Sequence, residues 1–359
     1  MSPLSTLEIR PVHAPESVDA DGAEDFLRTV EVRNRVYREI SGHDDSAALP
    51  GELLPFYHES ASERRYLWLV LDDGRPVGRV GLNVPLEPGS RTAYALIELL
   101  REAWGRGIGT AAHARVEQVA RDEGRTILQT WVEHTAAEGE HLAPPTGYGS
   151  VPRDHAARFL LRHGYTLEQV VRMSVYDLFG SRDALESHAE RARAAASDYR
   201  VVQWELPTPE EYVDGFAWMK SRMSTDAPSA GLESDEEAWD AARLREHDAH
   251  YLDGGQRMLV TAAQHIETGE LCAFNELVIG ADPTRATNQE DTLVLSTHRG
   301  HRLGLLVKAE GLLAWRDIAP ESPRVITYNA EENRPMLDIN EALGFVPRTY
   351  EGAWKKVLE

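Results

Sequence analysis

Two short segments carry residues whose types and spacing suit the binding of a pyrophosphate: Trp104-Gly105-Arg106-Gly107-Ile108-Gly109-Thr110 and Arg299-Gly300-His301-Arg302-Leu303-Gly304-Leu305. Each follows an apolar run that reads as a strand, Ala95 to Leu100 in one case and Thr292 to Leu295 in the other. Each opens a helical pattern, with Ile108, Ala112, Val116 and Val119 recurring in the first and Leu305, Ala309, Leu312 and Leu313 in the second. A strand that passes through a glycine turn into a helix leaves backbone N–H groups unpaired and pointing one way, and such an end attracts phosphate. Two carboxylates nearby are candidate bases. Glu276 shares a strand face with Phe274 and Val278 under period-2 alternation, where a charge is unusual, and Glu98 lies on the strand that enters the first glycine turn.

The local pattern admits more than one phosphate chemistry. Gly107-Ile-Gly109-Thr-Ala-Ala112 matches the dinucleotide fingerprint, with Glu133 near the position of a ribose-binding acid. Against a nicotinamide-binding oxidoreductase, the motif begins about a hundred residues into its domain, where that fingerprint normally joins the first strand to the first helix. The segment His301-Arg302-Leu303-Gly304 does not fit the fingerprint at all, and no Gly-Lys-Ser/Thr of a P-loop occurs.

The elements that must position these segments repeat. Upstream of each lie an opening strand, one or two helices and a hairpin, Tyr66–Leu71 with Val77–Val84 and Met258–His265 with Leu271–Ile279. Downstream of each come a buried strand, Ile127–Val132 or Val325–Tyr328, and a helix closing on Gly164-Tyr165 or Gly344-Phe345. A turn-rich segment, Thr135 to Ser150, has no counterpart in the second half. The Ala/Arg/Glu-rich stretch Ser181 to Ser197 sets a boundary near residue 190, giving domains 1–190 and 191–359, as expected for 359 residues. The class is α/β (α+β): in each domain a mixed, mostly antiparallel twisted sheet flanked by helices. Ser234 followed by Glu237 reads as a capping box at a helix start.

Composition excludes several functions. A formal charge of -21 would repel nucleic acid and favour a cationic acceptor. No apolar run is long enough for a membrane span, and Met1 to Pro11 has no secretory pattern, so a cytoplasmic protein is expected. The single Cys272 excludes an intramolecular disulfide, and no Cys/His cluster at ligand spacing is visible, so no metal is expected. The oligomeric state is not written in the sequence.

The two segments resemble the R/Q-x-x-G-x-G/A signature of the GNAT acetyltransferase superfamily, and Tyr328-Asn329-Ala-Glu-Glu-Asn333 with Met336, Asn340 and Leu343-Gly344-Phe345 is similar to actinobacterial members with two tandem acetyltransferase domains. The resemblance implies an N-acyltransferase that moves an acetyl or related acyl group from acyl-CoA to a small-molecule amine. It further implies that the strand ends Leu99 and Val294 pair with the pantetheine arm, that Gly105–Thr110 and Gly300–Leu305 wrap the pyrophosphate, and that Asn333 faces the CoA. Trp104 departs from the usual Arg or Gln, and Arg302 replaces a glycine, which a helical conformation would accommodate. The tyrosine often found four residues before the closing glycine is Leu160 in one half and Asn340 in the other, which leaves a non-catalytic acyl-CoA sensor or scaffold as an alternative. With Arg299, Glu276 and Asn333 present, the second half is expected to carry the reaction.

Overall fold

The computed structural model describes residues 6–135, 137–226 and 228–359. The first half contains β1 (Leu7–Pro11), α1 (Glu24–Ser41), α2 (Pro50–Leu53), β2 (Glu63–Asp72), β3 (Arg75–Pro85), β4 (Thr92–Leu99), α3 (Ile108–Asp122), β5 (Ile127–His134), β6 (His141–Leu142), β7 (Val151–Pro152), α4 (His155–Arg162) and β8 (Thr166–Asp177). The second half follows as α5 (Arg182–Ala195), β9 (Tyr199–Glu205), α6 (Val213–Asp226), α7 (Ala241–Asp253), β10 (Arg257–His265), β11 (Leu271–Ile279), β12 (Thr287–Val294), α8 (Leu303–Ile318), β13 (Arg324–Ala330), α9 (Arg334–Leu343) and β14 (Val346–Val357). The turn-rich segment of the first half holds β6, which pairs antiparallel with β7 just beyond it.

The chain divides into two compact units. One runs to Val170 and adds Ala230–Glu233 and Thr349–Glu359; the other holds Val171–Ser229 and Ser234–Arg348. The division falls inside β8, not near residue 190, because Leu185, Ala189 and Ala192 of α5 are buried in clusters of the second unit. Strands run in the order β1-β2-β3-β4-β5-β14 in the first unit and β8-β13-β12-β11-β10-β9 in the second. The last strand of each half is therefore exchanged: β14 pairs antiparallel with β5, and β8 with β13. Neighbours are otherwise antiparallel except β4 with β5 and β12 with β13.

Each glycine segment leads into a helix laid on its own sheet. Ile108, Ala112 and Val116 of α3 are buried on the first unit's core, as the apolar spacing predicts, while at the fourth position Ala120 is buried and the expected Val119 packs beside it partly buried. Trimming a fully buried side chain of that core, such as Leu128 to Ala, would cost roughly 2–5 kcal/mol. The capping box at Ser234 is not a helix start: the Ser234 hydroxyl donates to the Ser224 carbonyl at 2.8 Å, and α7 begins seven residues later, capped by Asp240 accepting from the Arg243 N–H.

Candidate active site

Parallel strands β4 and β5 stay in register for only three residue pairs, Thr92↔Ile127, Ala93↔Leu128 and Tyr94↔Gln129, and then diverge. A cavity of about 550 Å³ opens where they part, lined by Leu99, Trp104, Thr110, Val132, Glu133 and Glu351 among others. The outer side of β4 is fixed by β3, where Gly78 lies opposite Leu99. A side chain at that glycine would collide with Leu99. The backbone of β4 that faces the gap is thus held from one side only.

The loop at the end of β4 is built to present N–H groups. A turn at Arg101–Ala103 delivers Trp104, whose indole donates to the Leu99 carbonyl at 2.9 Å and stacks on His155, ring centroids 4.3 Å apart. Gly105 and Gly107 take φ of 71° and 82°, and Gly107 caps α3. The first intrahelical bond runs from the Ala111 N–H to the Gly107 carbonyl, so the N–H groups of Ile108, Gly109 and Thr110 precede the helical ladder at the positive end of the helix dipole. Arg106 turns aside to Asp72 at 2.6 Å, whereas Arg101, Arg158 and Arg162 border the cavity.

The second unit repeats this construction. Strands β12 and β13 pair over Thr287↔Val325, Asn288↔Ile326 and Gln289↔Thr327 before diverging. The Arg299 guanidinium donates to the Val294 carbonyl at 3.4 Å, five residues upstream, as Trp104 does to Leu99. The sequence departure at Trp104 therefore keeps the donor that pins the strand end. Arg302 caps α8 with φ 57°, left-handed like Gly107, so the helical conformation that would have accommodated a non-glycine there is not the one it adopts.

On the other face of the first sheet, alternation places Tyr94, Leu96 and Glu98 beside Trp131 and Glu133. Glu98 is 8% exposed and receives two bonds from Arg79, at 2.5 and 3.1 Å. Glu133 and Glu351 lie directly opposite each other on β5 and β14. Burial raises the Glu133 carboxyl above its usual range, and burial together with the Glu133 charge pushes Glu351 up to about 7. The buried Tyr37 hydroxyl is likewise raised, by the Glu98 charge and then by burial.

Residues 30–142 match the family described as "Acetyltransferase (GNAT) family". The first half is thus similar to a GNAT acetyltransferase domain over those residues. Over its whole length the chain is similar in structure to a tandem GNAT protein from the clavulanic acid biosynthesis pathway, at TM-score 0.73 and 24% identity, with 98% of each chain covered. It is also similar to a GCN5-related N-acetyltransferase from Sphaerobacter thermophilus, at TM-score 0.62 and 15% identity over 98% of this chain and 95% of that one, and to a putative acetyltransferase from Pyrococcus horikoshii, at TM-score 0.52 and 13% identity over 98% and 90%. A search of curated proteins by sequence found no match. The fold is that of tandem GNAT proteins.

Within the first unit, the sequence-derived residues Leu99, Gly105, Gly107, Gly109 and Thr110 come together at the cavity, and Glu98 lines it in its ion pair with Arg79. Gly109 and Gly304 also meet a packing demand: a Cβ at Gly109 would meet Phe159 of α4 at 3.1 Å, and one at Gly304 would meet Ile339 of α9 at 2.9 Å, so the absence of a side chain serves close helix packing. Asn333 caps α9 through its carbonyl, which accepts from the Leu337 N–H. Glu276 is fully buried, both its oxygens 3.1 Å from Lys220, which also holds Asp291 at 2.7 Å. Burial first, and then the neighbouring Asp291 charge, push Glu276 up to about 7 against the lowering pull of Lys220. Its geometry suits an internal ion pair and offers no open path to an incoming amine. Glu133 entered the sequence reading only as a ribose contact, and Glu351 did not enter it; the signal that joins them is the exchange of β14, which no local pattern announces.

Proposed function

We propose that the N-terminal GNAT domain transfers an acyl group, acetyl in the simplest case, from acyl-CoA to the amine of a small-molecule acceptor by direct transfer. The observation that carries this reading is a single cavity joining an N–H-rich helix start, two diverging strands and a pair of carboxylates with raised pKa. In this reading the N–H groups of Ile108, Gly109 and Thr110, with Arg158 and Arg162 nearby, hold the pyrophosphate and phosphate, and the exposed edge of β4 up to Leu99 holds the pantetheine arm. The Glu133–Glu351 pair takes the proton from the acceptor ammonium, the freed amine attacks the thioester carbonyl, the C–S bond breaks and the thiolate leaves to be protonated. Tyr94, Trp131 and the acidic face suit a cation carried on an apolar body. The C-terminal domain keeps the anion-binding loop in a supporting role, and the reaction moves to the first half from the second, where Glu276 and Arg299 had drawn it.

Titration calorimetry with acetyl-CoA, followed by a thiol-release screen over amine acceptors, tests the proposal. Acetyl-CoA binding with acceptor-dependent thiol release supports it; binding without release from any amine class would leave a sensor, and no binding would sink both.

A further inference from the structure

We propose that Glu270, Cys272 and His298 form a binding site for a divalent transition metal of the zinc class. The site lies in the second unit, away from the chemistry proposed above, and is independent of it. A carboxylate oxygen, the thiol sulfur and an imidazole nitrogen all lie within 4.8 Å of one another. Ligand atoms around tetrahedral zinc sit roughly 3.3–3.6 Å apart, given Zn–S near 2.3 Å and Zn–N and Zn–O near 2.0 Å, so side-chain shifts of about an ångström close the site. The mixed N, S and O donor set suits zinc and disfavours magnesium or calcium, which take oxygen alone.

The backbone holds the donors in place. Glu270 and Cys272, two residues apart at the start of β11, point to one side, and the Leu295 N–H donates to the Cys272 carbonyl at 3.0 Å, bringing the turn Ser296–His298 alongside. His298 Nδ1 lies 2.8 Å from the Tyr199 hydroxyl and Nε2 lies 3.8 Å from the Glu270 carboxylate. With the proton on Nδ1 and donated to Tyr199, Nε2 presents its lone pair toward the other two donors, which is the outer support that metal-bound histidines usually have. The Cys272 sulfur is buried, Glu270 is exposed and His298 is intermediate, so the metal enters from the Glu270 side and a solvent molecule completes its shell. Ligation breaks the S–H bond and releases its proton to solvent, with no change of oxidation state. Sequence spacing hides the site, because its donors come from two segments and one of them is a glutamate.

The site ties the β10–β11 turn to the loop that carries Gly300 and Arg302, so metal should stiffen the second unit. The test is titration of the full chain, purified under chelator and then freed of it, with Zn²⁺, alongside Co²⁺ spectra. The expected result is one Zn²⁺ per chain, at least tenfold weaker binding in Cys272→Ser and His298→Asn, and a near-ultraviolet thiolate-to-cobalt band lost in Cys272→Ser. Should Cys272→Ser fail to fold, the exposed Glu270→Gln variant and the wild-type cobalt band decide. Absence of Zn²⁺ binding, unchanged affinity in Glu270→Gln and His298→Asn, or a cobalt spectrum without the thiolate band would overturn the proposal.

Discussion

The two units meet the same structural problem with different side chains at matched positions. One residue before the end of the diverging strand, Arg79 lies opposite Glu98 in the first unit, and Phe274 lies opposite Leu293 in the second. The first pair is a buried ion pair bordering the cavity; the second is apolar, with Phe274 packed edge-on against Phe216 at 5.0 Å. At the sixth residue of the central helix the first unit has His113, with Nε2 3.2 Å from the Tyr165 hydroxyl, and the second has Lys308 beside the Phe345 ring at 5.8 Å. The loop's strand-pinning donor and left-handed cap are kept in both units. The sheet face beside it borders a cavity in the first unit and is occupied in the second by Phe274 and the Lys220–Glu276–Asp291 ion network. A repeated fold thus shows the same loop geometry standing beside two different side-chain chemistries.

The largest expected effect tests the acceptor side. Glu351→Gln should lower kcat by roughly 10²- to 10⁴-fold, as loss of a general base does, with little change in acyl-CoA affinity. Glu276→Gln should leave kcat nearly unchanged and instead lower the stability of the second unit, since the buried Lys220 loses its buried carboxylate partner and keeps only the partly exposed Asp291. A base acts when deprotonated, so kcat/KM should rise with pH through about 7, the Glu351 value. Removing the neighbouring charge in Glu133→Gln should move that midpoint down, because the Glu133 carboxylate is one of the causes that raise Glu351. Steady-state pH profiles on the three variants decide it; a kcat loss confined to Glu276→Gln would return the reaction to the second half.

Next in size is the helix contrast. The Lys308 ammonium is fully buried with no hydrogen-bond partner among the described residues, and burial pushes it down to about 7. A lysine with a folded pKa below its unfolded value sheds its proton on folding between the two, so the folded state gains stability as pH rises from about 7 toward 10.5. Below that window the penalty is fully present, several kcal/mol in order of magnitude. Lys308→Met should therefore stabilise the chain most near pH 6, and the gain should vanish toward pH 10.5. His113 is also pushed down, to about 4, by burial and then by His163, but it is neutral at pH 7 and has the Tyr165 hydroxyl as a hydrogen-bond partner, so His113→Met should destabilise at pH 7. Denaturant midpoints measured from pH 6 to pH 10 would show whether the two variants move in opposite directions.

A smaller effect addresses the loop itself. The third residue of α3, Thr110, is exposed and borders the cavity, so Thr110→Glu adds a charge at the helix start without entering the core. Repulsion of a pyrophosphate should weaken acyl-CoA binding about 10- to 100-fold with the thermal midpoint held or slightly raised, since a carboxylate at a helix N-terminus is itself favourable. Binding unchanged in calorimetry would mean that the first unit's loop is not the anion site.

Much of this architecture was legible because it rests on local pattern. The strand, glycine turn and four-residue apolar stripe of α3 are set by spacing alone, and the repeat made the second copy visible. What the sequence concealed depends on distant partners. Glu276 looked like a base because its strand alternation is right, but Lys220, 56 residues earlier, consumes its charge. Glu351 is reached only through the exchange of β14, and nothing local marks the φ 57° of Arg302. Gly109 and Gly304 were assigned to phosphate by motif, whereas the contacts that require them come from α4 and α9.

The smallest expected effect isolates that left-handed position. Gly107 and Arg302 occupy the same place before α3 and α8, with φ of 82° and 57°. A Cβ at Gly107 would meet nothing within 4 Å, so the backbone conformation alone opposes a side chain there. A left-handed non-glycine residue costs about 1 kcal/mol or more, while glycine gives back part of that through the greater freedom of its unfolded chain. Gly107→Arg should thus destabilise the first unit by about 1 kcal/mol, and Arg302→Gly should stabilise the second by up to about 1 kcal/mol. Chemical denaturation of the two single variants and of the double variant checks both, and the shifts should add because each lies in its own unit. A loss well above 3 kcal/mol in Gly107→Arg would point to a steric clash in the loop in place of backbone strain. A loss in Arg302→Gly would mean that the Arg302 side chain holds its loop by contacts worth more than the conformational cost it bears.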